Sequence, residues 1–394
     1  MKSNNNSEPL FSHDTILAVE RCIKLNIPFA LVLLPRHKTP RFYASMKFGI
    51  SPVDKNGFFL PGFSASFFAE NPDEAVYIPQ DLKVKDILSI PCDFSPLESS
   101  IADFPHSSTE FMPYYAVVSQ IIARHKRDNG KTVLSRVVRF DTSVPVMEVA
   151  SNYFNSLDNC CRYLYFTPET GLWIGASPEL LYEWNRETEI FRTMSLAGTR
   201  HSVGNTSWDE KNIDEHDYVT RHILSVMEQL GGREVTVDKC TSLKYGTIEH
   251  ICENISGKIS TPPAFVIEKL NPTPAVCGWP FETALKTIVE NESHARNCYG
   301  GFISVCNGKT LRAFVNLRSA VIRPREDGNY TYAAYAGGGI TKNSVPVDEW
   351  NEAASKIFKL YSCANSNNKL NDNLFAGKLT ASLDNEFDKV INRS

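Results

Sequence analysis

The sequence predicts an α+β fold, and three observations lead there. Segments of helical period do not alternate with single strands; they separate groups of short strands punctuated by turn residues, which favours antiparallel pairing over a Rossmann-type sheet. No composition break or linker interrupts the stretch from Gly130 to Cys363, so one large unit is expected rather than two beads. The 394 residues are 42% hydrophobic and 22% charged, with Gly 21 and Pro 22, which fits a chain with a buried core and excludes a disordered, collagen-like or low-complexity one.

In order along the chain, Asp14 to Leu25 carries apolar residues at helical spacing, and Pro28 to Leu34 reads as a buried strand. From about Phe42 to Ser108 the Pro-, Phe-, Ser- and Asp-rich sequence gives little periodic signal. Tyr114 to His125 predicts a helix closed by Asn129-Gly130, followed by a strand over Thr132 to Phe140 and a helix over Pro145 to Leu157. Arg162 to Phe166, Leu172 to Ala176, Leu180 to Trp184 and Glu189 to Met194 read as strands in successive antiparallel hairpins. Ser207 to Leu230 predicts a long helix stopped by Gly231-Gly232. Strands at Glu234 to Lys239 and Gly246 to Ile259 precede a helix at Pro263 to Leu270. A helix over Pro280 to Asn291, strands at Gly301 to Cys306, Leu311 to Ile322 and Tyr330 to Ala336, and a helix at Pro346 to Ser362 complete the pattern.

Charge and composition narrow the function. Lys+Arg 41 against Asp+Glu 45 leaves a net charge of −4 and no long basic run, so no nucleic-acid partner is expected. The longest apolar run, Phe29 to Leu34, is far short of the ~20 residues a membrane helix needs, and Met1 to Pro9 has no signal-peptide core. A cytoplasmic protein with no membrane association is the expectation. The 10 cysteines are scattered without a C-x-x-C pair, which points away from zinc knuckles and towards reduced, structural thiols.

Two acidic clusters lie on predicted helices. Glu215, in Asp214-Glu215-His216, falls at the edge of an apolar stripe, where a buried carboxylate must be paired, protonated or metal-bound. Glu349 and Glu352 share a helix face at i,i+3 spacing, with Lys356 four residues further on. Such helices are mostly just solvated; the sharper alternative is two helices donating carboxylates to Mg²⁺, and spacing alone does not choose. Gly337-Gly338-Gly339 follow a strand and could cradle an anion with their N–H groups, or form a plain turn. Arg318 sits mid-strand and, if buried, needs a carboxylate from the protein or a ligand. Taken singly, Lys131, Glu179 and His250 are more often surface or hydrogen-bonded structural residues. No G-x-S-x-G or Cys signature supports hydrolysis.

Taken together and in order, these segments resemble the chorismate-utilising enzymes. The stretches that carry the resemblance are Lys131-Thr132-Val133-Leu134-Ser135-Arg136, Gly175-Ala176-Ser177-Pro178-Glu179-Leu180, Leu196-Ala197-Gly198-Thr199-Arg200 and Asp214-Glu215-His216. Leu270-Asn271-Pro272-Thr273-Pro274-Ala275, Tyr299-Gly300-Gly301, Arg318, Ala336 to Ile340 and Glu349-Trp350-Asn351-Glu352 complete the set. The similarity runs from about Gly130 to Lys356 and is nearest to isochorismate synthases. It implies a four-layer α/β/β/α arrangement, two large antiparallel sheets face to face, with the site in the cleft between them. The expected organisation is a flexible N-terminus 1–9, one catalytic domain 10–363 (10–110 weakly matched, 111–363 bearing the motifs) and a polar tail 364–394.

The resemblance also assigns roles. Members that add water carry lysine where Lys131 falls; those that add an amine lack it. Lys131 would activate water to attack C2 of chorismate, and Glu179 would protonate the departing C4 hydroxyl. Glu215 and Glu352 would hold Mg²⁺ at the ring carboxylate, with Glu349 behind them. Arg318, Tyr299 and the amides of Gly337, Gly338 and Gly339 would meet the pyruvyl carboxylate. Gly198 and Thr199 would line the ring end, His250 and Thr273 the wall, and Lys356 a substrate-contact position. Family members often carry an acidic residue where Asn212 stands, so weaker Mg²⁺ binding is implied. The usual His before Pro-Thr-Pro is Asn271. A salicylate synthase, which also expels pyruvate, and an inactive chorismate-binding subunit are the rival readings, with menaquinone and siderophore pathways both open. The assembly expected is a monomer, or at most a weak homodimer.

Overall fold

The computed structural model describes residues 9–91, 103–201, 207–245 and 248–365. The expected flexible N-terminus and polar tail fall, but for Pro9, Ala364 and Asn365, outside the described residues. In chain order the elements are α1 (His13–Leu25), β1 (Phe29–Leu33), β2 (Arg41–Ala44), β3 (Gly62–Ala65), β4 (Val76–Pro79), α2 (Val84–Leu88), α3 (Phe111–Asp128), β5 (Lys131–Thr142) and α4 (Val146–Asn155). Next come β6 (Cys161–Thr167), β7 (Gly171–Ser177), β8 (Leu180–Asn185), β9 (Ile190–His201), α5 (Glu210–Gln229), β10 (Arg233–Val237), β11 (Thr241–Tyr245), β12 (Ile248–Lys258) and α6 (Pro263–Leu270). The chain ends with β13 (Gly278–Trp279), α7 (Phe281–Asn291), β14 (Phe302–Cys306), β15 (Thr310–Val315), β16 (Ser319–Pro324), β17 (Tyr330–Ile340) and α8 (Pro346–Ala364).

These strands form two antiparallel sheets. One runs β13-β5-β17-β16-β7-β6-β1-β2, the other β10-β12-β9-β8-β15-β14-β3-β4, with β11 also paired to β12. Side-chain alternation explains the layering. In β1, Ala30 and Val32 turn inward to a layer shared with Phe63, Tyr165, Trp173 and Phe314, while Phe29, Leu31 and Leu33 face outward onto α1 and α4. On the second sheet Leu181, Phe191, Ile255 and Val315 meet Val219, Ile223 and Met227 of α5 and Val266, Ile267 and Leu270 of α6. Each such side chain contributes about 1.5–3 kcal/mol on burial. The result is the expected α/β/β/α stack. No helix among the described residues is long and apolar enough to cross a membrane.

Helix ends follow local chemistry. Ser12 Oγ accepts from the Thr15 amide at 3.2 Å to start α1, and Asn26 closes it at φ 54°. Asn129 closes α3 in the same way at φ 56°, as the Asn-Gly pair predicts.

Three expectations need correction. Residues 42–108 hold β3, β4, α2 and most of β2; their strands are too short to show a period. The run Arg162 to Met194 is not a chain of hairpins: β6 pairs β7 and β8 pairs β9, but β7 and β8 lie in different sheets. Likewise Leu311 to Ile322 is two strands, because the chain leaves one sheet at Val315 and enters the other at Ser319.

Candidate active site

The two crossings between sheets position the site. Glu179 lies in the step from β7 to β8, and Arg318 in the step from β15 to β16. The crossings are stitched together, since the Val315 amide donates to the Glu179 carbonyl at 3.1 Å. Arg318 is therefore not mid-strand. Its φ of 51° is left-handed, a conformation that costs a non-glycine residue free energy and survives only where its surroundings hold it. The Tyr153 hydroxyl supplies one such hold by donating to the Arg318 carbonyl at 3.0 Å. Tyr245, whose hydroxyl meets that of Tyr153 at 2.9 Å, lies 5.0 Å beneath the guanidinium.

Beside these crossings opens a cleft between the two sheets. Glu179, Gly198, Thr199, Glu215, His250, Tyr299, Arg318, Gly337, Gly339 and Lys356 line it. Lys131, Thr273, Gly338, Glu349 and Glu352 stand outside that lining but touch or adjoin it. Thr273 hydrogen-bonds Glu179 at 3.4 Å.

Lys131 and Glu179 have the electrostatics of a base and an acid. Both are buried, Lys131 completely and Glu179 to 2% exposure. Burial drives the Lys131 pKa below its ordinary value, against the opposing pull of Glu215 at 3.1 Å and of Glu179. Burial raises Glu179 to about 8, again opposed by Lys131, by Thr273 and by Arg318. The directions follow from desolvation, which penalises whichever form is charged. Pairs of groups pushed towards their neutral forms in one cleft are what general acid–base chemistry near neutral pH uses.

A carboxylate cluster faces the glycine strand. Glu215 comes from α5, and Glu349 and Glu352 from α8. The Lys211 ammonium lies 2.8 Å from Glu349 Oε1 and 3.9 Å from Glu352 Oε2. Lys356 lies 2.6 Å from Glu352 Oε1 and donates to the Gly337 carbonyl at 2.8 Å. Burial raises the Glu349 carboxyl to about 7; for Glu352 burial acts the same way, but Lys356 and Lys211 overcome it and hold the group down to about 2. The glycines let the carboxylates approach. A Cβ on Gly339 would meet Glu215 Oε1 at 2.2 Å, and one on Gly338 would meet Glu349 Oε2 at 2.9 Å. An all-oxygen donor set fits a hard divalent cation, and Glu349 Oε2, buried without a hydrogen-bond partner, fits it too. Lys211 escaped the sequence reading, although it stands one helical turn before Glu215, the spacing at which side chains share a face.

Another wall of the cleft suits an anion. Arg318 is 8% exposed, and its Nη1 is buried with no hydrogen-bond partner. Among the described residues no carboxylate lies within ion-pair distance of it. Its Nη2 donates to His250 Nε2 at 2.7 Å, while His250 Nδ1 meets the Gly198 carbonyl at 2.9 Å. His250 is thereby fixed in one tautomer and, with burial and the Arg318 charge against protonation, falls to about 3. It aims the arginine. The Tyr299 hydroxyl bonds the Gly337 amide, and its ring stacks on Tyr335 at 5.4 Å.

Gly337 to Gly339 do not form a loop of three free amides. β17 continues through them to Ile340, paired with Val133 to Ser135 of β5. Antiparallel pairing alternates, so with Gly337 bonded to Tyr299 and Lys356, the Gly338 amide faces β5, and only Gly337 and Gly339 present backbone to the other edge. Asn212 also has a role the sequence did not suggest. Its Oδ1 accepts the Thr199 amide at 2.8 Å, pinning the left-handed Gly198 (φ 72°) and the ring-end wall.

A family model described as "Chorismate binding enzyme" matches residues 96–364. The chain is 27% identical over 254 residues to the isochorismate synthase MenF of Pasteurella multocida, covering 60% of this chain and 58% of that protein. It is 30% identical over 289 residues to anthranilate synthase component 1 of Aeropyrum pernix, covering 69% of this chain and 64% of that one. The chain thus spans less than two thirds of either relative's length. The solved structure of MenF, the menaquinone-specific isochorismate synthase of Escherichia coli, superposes with a TM-score of 0.72 at 18% identity, over 90% of this chain and 92% of that one, which establishes the shared fold.

Proposed function

The chain belongs to the chorismate-binding enzyme family, and we propose that within it the protein is an isochorismate synthase, converting chorismate to isochorismate with Mg²⁺ as cofactor. The observation that carries the reading is Lys131, a wholly buried amine with a depressed pKa beside the cleft, electrostatically linked to the protonatable Glu179. Neutral Lys131 takes a proton from water as the oxygen bonds to C2. The ring double bonds shift, the C4–O bond breaks, and Glu179 gives its proton to the departing hydroxyl, which leaves as water. Atoms balance, and the net change is an isomerisation. At its ordinary pKa of ~10.4 only about one lysine in 2500 is neutral at pH 7, so the depression is what makes the base usable.

Arg318, aimed by His250, and the Tyr299 hydroxyl would hold the pyruvyl carboxylate, giving Arg318 the anionic partner that no described residue provides. Gly198 and Thr199 would bound the ring. Glu215 and Glu352, with Glu349 beside them, would hold Mg²⁺, which when bound would draw electron density from the ring through its carboxylate. The chain's own residues bind, orient and move protons around it.

Incubation of the protein with chorismate and Mg²⁺, with products separated by chromatography, tests the reading. Isochorismate without pyruvate is the expected outcome. Salicylate with stoichiometric pyruvate would reassign the chain to salicylate synthase. An amine-dependent product, or binding without turnover, would overturn the role given to Lys131.

A further inference from the structure

We propose that His216, Cys240 and Glu253 form a second metal site, selective for a borderline-soft divalent cation, Zn²⁺, where α5 meets β12 and the β10–β11 connection. The donor set is assembled by three separate elements. His216 lies on α5, Glu253 on β12, and Cys240 in the connection from β10 to β11. Strand register brings the last two together: Thr241 pairs with Cys252, so Cys240 stands opposite Glu253. The ligand atoms of all three residues lie within 4.8 Å of one another. A tetrahedral zinc with bonds of about 2.0–2.3 Å separates its ligands by roughly 3.5 Å, so closure asks only for a small movement of the exposed Cys240.

The surroundings prepare the histidine as a ligand. His216 Nδ1 faces the Ser195 hydroxyl at 3.4 Å, leaving Nε2 directed at Glu253, 3.2 Å away. Glu253 is oriented in turn by the Thr220 hydroxyl at 2.9 Å. A metal-binding imidazole is commonly arranged this way, its second nitrogen engaged and its partner carboxylate hydrogen-bonded. The mixed N, S and O set differs from the all-carboxylate cluster and disfavours Mg²⁺. An ion here would tie the β10–β11 connection to α5 at the residue after Glu215. The site does not depend on what the cleft binds.

The test is titration of the full-length protein with Co²⁺ in the presence of excess Mg²⁺, followed by competition with Zn²⁺. One equivalent of Co²⁺ should produce a thiolate-to-cobalt charge-transfer band, which one equivalent of Zn²⁺ removes. Cys240→Ser should abolish the band and Glu253→Gln should weaken Co²⁺ binding at least tenfold, with unchanged circular dichroism in both. Cys240 is the exposed thiol among the described cysteines, so the first variant should fold. Absence of the band, or a band that persists in Cys240→Ser, would overturn the site and leave His216–Glu253 as a plain hydrogen bond.

Discussion

The Lys131 Nζ lies 3.1 Å from Glu215 Oε1, with the two side chains 0% and 9% exposed. One carboxylate therefore serves both the proposed base and the proposed metal cluster. The pairing keeps a lysine that desolvation would otherwise neutralise within reach of a proton, and ties its protonation to whatever else Glu215 binds.

Lys131→Ala should lower kcat about 10²- to 10⁴-fold, the usual scale for a lost proton-transfer group. Binding of chorismate, measured by calorimetry, should change by only a few-fold, because the anion-facing groups are untouched. Full activity in this variant would remove the base from the mechanism.

Glu179 must be protonated to act, and its pKa is about 8. kcat/KM should therefore fall tenfold per pH unit above about 8. Stability carries the same signature. A carboxyl whose pKa rises from 4.5 to about 8 on folding binds its proton more tightly in the native state, so its contribution is fully present below 4.5 and is lost as pH climbs to about 8. The loss is on the order of a few kcal/mol at most. Glu179→Gln should be inactive yet lose less Tm than the unmodified protein between pH 5 and 8 by calorimetry.

Lys211 neutralises the cluster that would receive Mg²⁺. In Lys211→Met the metal-free protein should melt at lower temperature, since Glu349 and Glu352 lose their shared cation. The rise in Tm on adding Mg²⁺ should grow by several degrees. A smaller rise would mean that Lys211 helps build the metal site rather than standing in for its charge.

Tyr153→Phe deletes one hydrogen bond to the Arg318 carbonyl, worth about 1 kcal/mol. If that bond keeps the guanidinium aimed, KM for chorismate should rise about five-fold with kcat nearly unchanged. A loss confined to Tm would make Tyr153 a packing residue.

Much of this was legible in the sequence, for identifiable reasons. α1, α6 and α7 lie within a residue of the bounds the sequence predicts, and Lys131, Glu179 and Glu215 stood in motifs whose residue types have a chemical purpose. The short strands β2, β3 and β4 were not legible, because four residues carry no measurable period. Arg318 looked like a strand residue since apolar runs, Phe314-Val315 and Ala320 to Ile322, flank it on both sides; the bend is imposed by the two sheets. Tyr245 depends on contacts between distant elements, which one-dimensional spacing does not encode, whereas the signal for Lys211, its place four residues before Glu215 on α5, was there to be read.

The stitched crossings at Glu179 and Arg318 have a mechanical consequence. Short backbone tethers fasten the sheets together beside the reacting groups, so the two layers cannot hinge apart there as the jaws of a two-lobed enzyme do. Ligand traffic must then pass along the rim, past α5 and α8, and any slow gating step should report on those helices while the floor between the tethers stays rigid.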